Sequence, residues 1–167
     1  MNINGQELDT SVGKLLVVAS SKGVCRICFP GESASDREAW FDRHLSGVPP
    51  QDSDRFLVEA TKQLTRYFTG QNQAFDLALD LRGTPFQIRV WRELLKISYG
   101  TTVSYGEVAR AIGNPRACQA VGAAVGRNPI PIVVPCHRVI GHDGALVGFR
   151  GGLPTKKKLL ALEGARG

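Results

Sequence analysis

The stretch Ile130-Pro131-Ile132-Val133-Val134-Pro135-Cys136-His137-Arg138-Val139-Ile140 sets the hardest condition on folding. Its flanks are apolar enough to be buried, and a cysteine delivered by them goes inside too. Burial disfavours charge: it raises a thiol's pKa and obliges a buried cation to find a partner. His137 and Arg138 would lower the thiol again if their side chains turned toward the sulfur, yet neighbours on an extended chain point to opposite faces. Two readings of Cys136 are open, a small core residue or a nucleophile whose surroundings favour the thiolate.

Around this stretch the chain reads as an α+β protein in two parts, 1–82 and 83–167. In the first, Lys14–Ala19 and Val24–Phe29 are strands joined by a Ser20-Ser21-Lys22-Gly23 turn. Asp36–Leu45 is a short helix with Ser35 its candidate cap, and Pro49-Pro50 breaks the chain. Phe56, Leu57, Ala60, Leu64, Tyr67 and Phe68 recur at three- and four-residue steps, predicting an amphipathic helix that ends near Gly70. Ala74–Leu81 alternates enough for a third strand. The expectation is a small antiparallel sheet with helices, serving as scaffold. Cys25 and Cys28 form a C-x-x-C pair, but in a strand these positions fall on opposite faces, and no second ligand pair follows at zinc spacing. Both read as structural.

The second part is mainly helical. Thr84-Pro85 starts a helix whose apolar face carries Phe86, Val90, Trp91, Leu94, Leu95 and Ile97. Gly100–Val103 is a turn. Ser104 and Glu107 have capping-box spacing at the head of a helix over 105–112. Gly113-Asn114 turns the chain, and Pro115 opens a further helix through Val125. Two short helices about a glycine turn resemble a helix-turn-helix, with two packed helices and nothing to bind as the plainer reading. A glycine-rich loop, Gly141–Leu153, leads into a basic helix over 154–162 with Leu159, Leu160 and Leu162 inward and Glu163 at its end.

Charge separates the two parts. Residues 1–82 hold nine Lys/Arg against eleven Asp/Glu, whereas 83–167 hold twelve against four. Such a basic half suits a polyanion as well as it suits solvent. No run of about 18 apolar residues predicts a membrane span, and Met1–Glu7 lacks the pattern of a secretory signal. The expectation is a cytoplasmic protein, nucleoid-associated in a prokaryote, with no disulfide framework among its four cysteines.

Asn128-Pro129 followed by Ile132 to Gly141 resembles the signature of the methylated-DNA–protein-cysteine methyltransferases, or O(6)-alkylguanine-DNA alkyltransferases. Gly151-Gly152-Leu153, Lys156, Leu159-Leu160, Glu163 and Ser104-Tyr105-Gly106 fit the same pattern. The likeness is dense from about residue 83 to 164 and weaker before. It implies a winged-helix-like helix-turn-helix domain that carries the active site. It further implies a repair protein that moves an alkyl group from O(6) of guanine, and from O(4)-alkylthymine, onto its own cysteine. The acceptor acts once, without cofactor or metal, on double-stranded DNA, as a monomer for which cooperative loading is a further expectation.

Residue by residue, the resemblance makes Cys136 the acceptor, His137 its activator through a water, and Glu163 the group that orients His137. Asn128 ties the helix-turn-helix to the active-site segment. Tyr105 rotates the phosphate and donates to the guanine ring. The second helix, with Gly106, Asn114, Arg116 and Gln119 nearby, faces the minor groove. The backbone at Cys136 and Val139 holds the guanine amino group, and Phe149 and Arg150 border the pocket. Three positions depart from the usual pattern: Gln119 stands for an arginine that fills the gap left by the flipped base, Phe149 for a tyrosine, and Arg150 for a serine. Rival readings are a cysteine hydrolase built on Cys, His and Glu, a non-catalytic binder of alkylated DNA, and a transcription regulator.

Overall fold

The computed structural model describes residues 3–46, 53–146 and 148–165; Pro49-Pro50 and Val147 of the glycine-rich loop lie outside them. The chain divides into two compact units, one ending at Arg82 and the next starting at Gly83.

The first unit is a three-stranded antiparallel sheet, β1 (Gly5–Thr10), β2 (Gly13–Ser20) and β3 (Gly23–Cys28), in that order. Thr10 pairs with Gly13 and Ser20 with Gly23, so each hairpin turns on two residues. β1 carries no sequence signal because Gln6-Glu7-Leu8-Asp9 does not alternate. It is a largely exposed edge held by backbone pairing to β2. The sheet is completed differently from the expectation. Ala74–Leu81 is not a strand; it docks on β3 through two backbone bonds, Val24 N–H to Ala78 (2.9 Å) and Asp80 N–H to Val24 (2.8 Å). A Cβ at Gly23 would lie 2.5 Å from the Ala78 oxygen, so only glycine admits this approach.

The helix α1 (Ala34–Leu45) is capped by Ser33, whose hydroxyl accepts from Asp36 N–H at 3.1 Å; Ser35 sits inside the first turn. Helix α2 (Asp54–Phe68) buries Leu57, Ala60, Leu64 and Tyr67 and packs on β1 and β2. Its Gln63 amide brackets the Asp76 backbone with two 2.9 Å bonds. Cys25 and Cys28 are free, as expected, but the opposite-faces argument fails. A register shift opposite Val18 and Ala19 leaves Cys25 unpaired in the ladder, and both cysteines enter one apolar cluster with Val18, Phe41 and Leu45.

In the second unit, α3 (Pro85–Leu94) begins with a Thr84–Gln87 capping box and buries Val90, Trp91 and Leu94. Leu95 lies past the helix and is 43% exposed, against the expected inward face. Trp91 Nε1–H donates to the Ala124 carbonyl at 2.8 Å, which fastens α3 to α5 (Cys118–Gly126). Helix α4 (Tyr105–Ala111) carries the predicted Ser104–Glu107 capping box. It ends in a Schellman motif: Gly113 is at φ 80°, with Gly113 N–H bonded to Arg110 and Asn114 N–H to Ala109. The expected helix start at Pro115 is corrected. Asn114–Ala117 is a turn closed by Ala117 N–H to Asn114 (3.0 Å), and the helix begins at Cys118. Proline's fixed φ suits the second position of a turn as well as a helix start.

Two short parallel strands, β4 (Val103–Ser104) and β5 (Val139–Ile140), pair Val103 with Val139 and Ser104 with Ile140. The expected turn at Val103 is therefore a strand. It ties the head of α4 to the residues that follow Cys136-His137-Arg138, which form a 3-10 turn. The last helix, α6 (Leu153–Leu162), buries Leu159 and Leu160, leaves Leu162 half-buried, and delivers Glu163 at its end.

Candidate active site

The segment before Cys136 is bent rather than extended. Ile132, fully buried, sits at φ 76°, a region that β-branched residues rarely enter. Asn128, just past α5, holds this bend from both sides: its Nδ2 donates to the Val134 carbonyl at 2.8 Å, and its Oδ1 accepts from Ile130 N–H at 3.0 Å. Cys136 N–H reaches back to the Val134 carbonyl at 2.8 Å around Pro135, so the chain turns and presents the thiol from a buried corner.

The polar partner that His137 and Arg138 share is a carboxylate far along the chain. Both turn to Glu163, whose side chain is completely buried. His137 Nε2 lies 2.7 Å from Oε2, and Arg138 donates to both oxygens, Nε to Oε1 at 2.8 Å and Nη2 to Oε2 at 2.9 Å. Gly100 N–H adds a bond to Oε1 at 3.4 Å. Arg138 Nη1 donates to the Ile97 carbonyl at 2.6 Å, and its guanidinium lies 5.8 Å from the Tyr99 ring centre. A carboxylate that accepts from a paired arginine is ionised, so the proton between it and His137 belongs to Nε2. Nδ1 then carries a lone pair, and it has no hydrogen-bond partner among the described residues.

Burial holds His137 below the usual histidine range, while the Glu163 hydrogen bond and charge pull it up and the Arg138 and Lys156 charges push it down. A neutral imidazole with Nδ1 as acceptor is the result. Burial also pushes the Cys136 thiol up. Against this act the Asn128 side chain first, then the charges of Lys156 and Arg150, then the residue's own backbone. Lys156 is completely buried and donates from Nζ to the Val139 carbonyl at 2.7 Å. The Tyr105 hydroxyl is pushed up by burial, then by Cys136 and Cys118, so it stays protonated near the thiol. The ring packs beside Gly122 on α5, where a Cβ would stand 3.8 Å from Tyr105 Cδ1, in ordinary van der Waals contact.

Cys136, His137, Glu163, Asn128, Tyr105 and the buried Val139 thus belong to one locality, whereas Asn114, Arg116 and Gln119 are exposed on the turn and on α5. Gly106 and Phe149 are half-buried, and Arg150 is exposed in its loop.

Comparison with known proteins follows the same division of the chain. Residues 85–165 match the family model for 6-O-methylguanine DNA methyltransferase, DNA binding domain, and residues 7–81 match that for its ribonuclease-like domain. A methylated-DNA–protein-cysteine methyltransferase of Methanosarcina barkeri is 42% identical over 158 residues, 93% of this chain and 94% of that one. The chain belongs to the methylated-DNA–protein-cysteine methyltransferase family. The relative from Mycolicibacterium paratuberculosis is 57% identical over 112 residues, 67% of this chain and 68% of its own. The crystal structure of Mycobacterium tuberculosis OGT in complex with DNA superposes with a TM-score of 0.81 at 42% identity, covering 96% of this chain and 92% of that one.

Within this family fold, two residues carry more of the site than the sequence reading assigned them. In the sequence Arg138 reads as a neighbour of the thiol and Lys156 as part of the family pattern. For Arg138 the signal available was a cation followed by Val139-Ile140, which must be paired or bonded wherever the fold buries it, whereas Lys156, first of three consecutive lysines, carries no such signal.

Proposed function

We propose that this chain repairs DNA by taking the alkyl group of O(6)-alkylguanine, and of O(4)-alkylthymine, onto Sγ of Cys136, once per molecule. The observation that carries the reading is the buried Cys136 corner beside a neutral His137 whose Nε2–H is spoken for by Glu163. Nδ1 is left to receive the thiol proton, through a bridging water. The resulting imidazolium is stabilised by the Glu163 charge. The thiolate attacks the sp3 carbon in line with the leaving oxygen; the S–C bond forms as the C–O(6) bond breaks, and the thiol's proton ends on the departing base. The thioether product has no easy hydrolytic exit, so the acceptor is consumed.

A thiol that is 6% exposed cannot meet a base inside a duplex, so the nucleotide is flipped into the pocket for about a few kcal/mol. Tyr105, kept protonated, turns the phosphate and donates to the ring. Gly106, Asn114, Arg116 and Gln119 face the minor groove, the backbone at Cys136 and Val139 holds the guanine amino group, and Phe149 and Arg150 wall the pocket. The unit ending at Arg82 is scaffold, and the unit from Gly83 binds DNA and accepts the alkyl group. The protein acts in the cytoplasm as a monomer, with cooperative loading of neighbours on DNA.

Intact-mass measurement after mixing with a duplex containing O(6)-methylguanine tests this. The expected result is a 1:1 gain of one methyl that Cys136→Ala abolishes. No adduct on the wild-type chain overturns the proposal, and continuous turnover of an ester or peptide would replace it with a hydrolase.

A further inference from the structure

The geometry points to a second contact surface for the DNA backbone, a basic groove along α3 outside the helix-turn-helix. It rests on the reading that this chain works on duplex DNA, and it assigns Arg89, Arg92 and Lys96 to phosphates flanking the lesion.

Arg89 and Arg92 stand at positions i and i+3 of one helical face, and Lys96 follows in the turn just past the end of α3. Together with Ile88 and Ile112 they line a groove of about 690 Å³ between α3 and the end of α4. An apolar floor under a cationic rim suits a sugar-phosphate chain better than it suits free solvent.

The groove is also aimed. The Arg89 guanidinium donates to the Ile112 carbonyl, the residue that closes α4 just before the Gly113–Ala117 turn. A Cβ at Gly113 would stand 3.8 Å from the same guanidinium. The stripe therefore begins beside the turn that leads into α5, and it extends that surface rather than forming a separate one. Arg89 is held in place by its bond while remaining exposed. Arg92 is exposed and has no hydrogen bond or ion pair among the described residues. Lys96 pairs with Glu93, the one acid lining the groove, at 2.9 Å, but its side chain is 72% exposed, so water and salt leave it exchangeable.

A charge-matched comparison tests the proposal on the full chain. Arg89→Gln with Arg92→Gln is set against Lys157→Gln with Lys158→Gln, two exposed lysines of α6. Duplex affinity is read by fluorescence anisotropy over a NaCl series, and alkyl transfer by reaction with free O(6)-benzylguanine, which needs no DNA. The groove pair should reduce the slope of log K against log salt by about 1.8, near 0.9 per phosphate contact, and the α6 pair should not. Arg92→Gln alone, which loses no internal bond, should reduce it by about 0.9. Transfer to the free base should match wild type in all variants. An unchanged slope in the groove pair, or equal losses in both pairs, overturns the proposal. If the wild-type chain takes no methyl group from an O(6)-methylguanine duplex while the groove pair still loses slope, the groove stands and the repair reading falls.

Discussion

Nε2 of His137 and Oε2 of Glu163 meet at 2.7 Å across 26 residues of sequence, in a position where neither side chain has any exposure. The contact exists because α6 ends where the 3-10 turn of Cys136–Arg138 begins to pack against it. It settles three things at once: the histidine tautomer, the charge on the carboxylate, and the partner of the buried Arg138.

Glu163→Gln should separate those roles. The amide keeps the shape but removes the charge that pairs Arg138, and breaking a buried pair costs about 3–5 kcal/mol. Urea unfolding should show a loss of that order, and the folded fraction should transfer from free O(6)-benzylguanine more slowly than wild type. A folded variant with wild-type transfer would remove the carboxylate from the chemistry.

Acidification should destabilise the protein through His137. Its pKa in the fold is lowered from the usual 6.5, so as pH falls below about 6.5 the unfolded chain binds a proton that the folded chain refuses. The stability is fully present above 6.5 and is lost on descending toward the folded pKa. Urea midpoints between pH 8 and 5 should decline below 6.5, and His137→Gln should flatten that limb. A decline of equal slope in the variant would assign it to other groups.

On the alkaline side the buried thiols act in the opposite sense. Burial raises Cys25 from 9.0 to about 12, so above pH 9 the unfolded chain releases a proton that the folded chain keeps. Stability present below pH 9 should fall between 9 and 12 by on the order of 1.4 kcal/mol per pH unit from this group. Cys25→Ala should remove that share of the slope in denaturant titrations.

Asn128→Ala should remove both bonds that hold the Ile130–Val134 bend and leave the buried Ile130 N–H unpaired, at about 1–3 kcal/mol, while the Val134 carbonyl keeps its bond from Cys136 N–H. Thermal and urea unfolding should both shift. Asn128→Asp keeps the acceptor for Ile130 N–H yet loses the donor to Val134, and it sets a negative charge near the thiol. Transfer should fall further than stability in that variant.

Gln119→Arg tests the departure on α5. Glutamine can fill the gap left by a flipped base and hydrogen-bond there, but it carries no charge. The arginine variant should transfer faster from duplex DNA and at the same rate from the free base. An unchanged duplex rate would mean that the missing charge does not limit extrusion, or that Arg116 already supplies it.

The capping box at Ser104, the apolar face of α2 and the leucines of α6 were legible because each depends on residues three or four apart. The failures share the opposite character. β1 is an exposed edge made by pairing with β2, and a single unpaired residue in β3 brought Cys25 and Cys28 to one cluster. Pro115 suited a turn and a helix start equally, and the turn was chosen by the chain around it.

The same division holds at the site. The amino-acid order alone determined that Cys136 would be buried, that Glu163 would end a helix, and that the second half would be basic. It could not decide where the buried charges point. Only the tertiary structure paired His137 and Arg138 with Glu163, and left Asn128, Lys156 and Arg150 as the groups that oppose burial at the thiol. The physical reason is that burial follows from composition along the chain. The pairing of a buried charge depends on distances of about 3 Å between residues that the chain separates by dozens of positions.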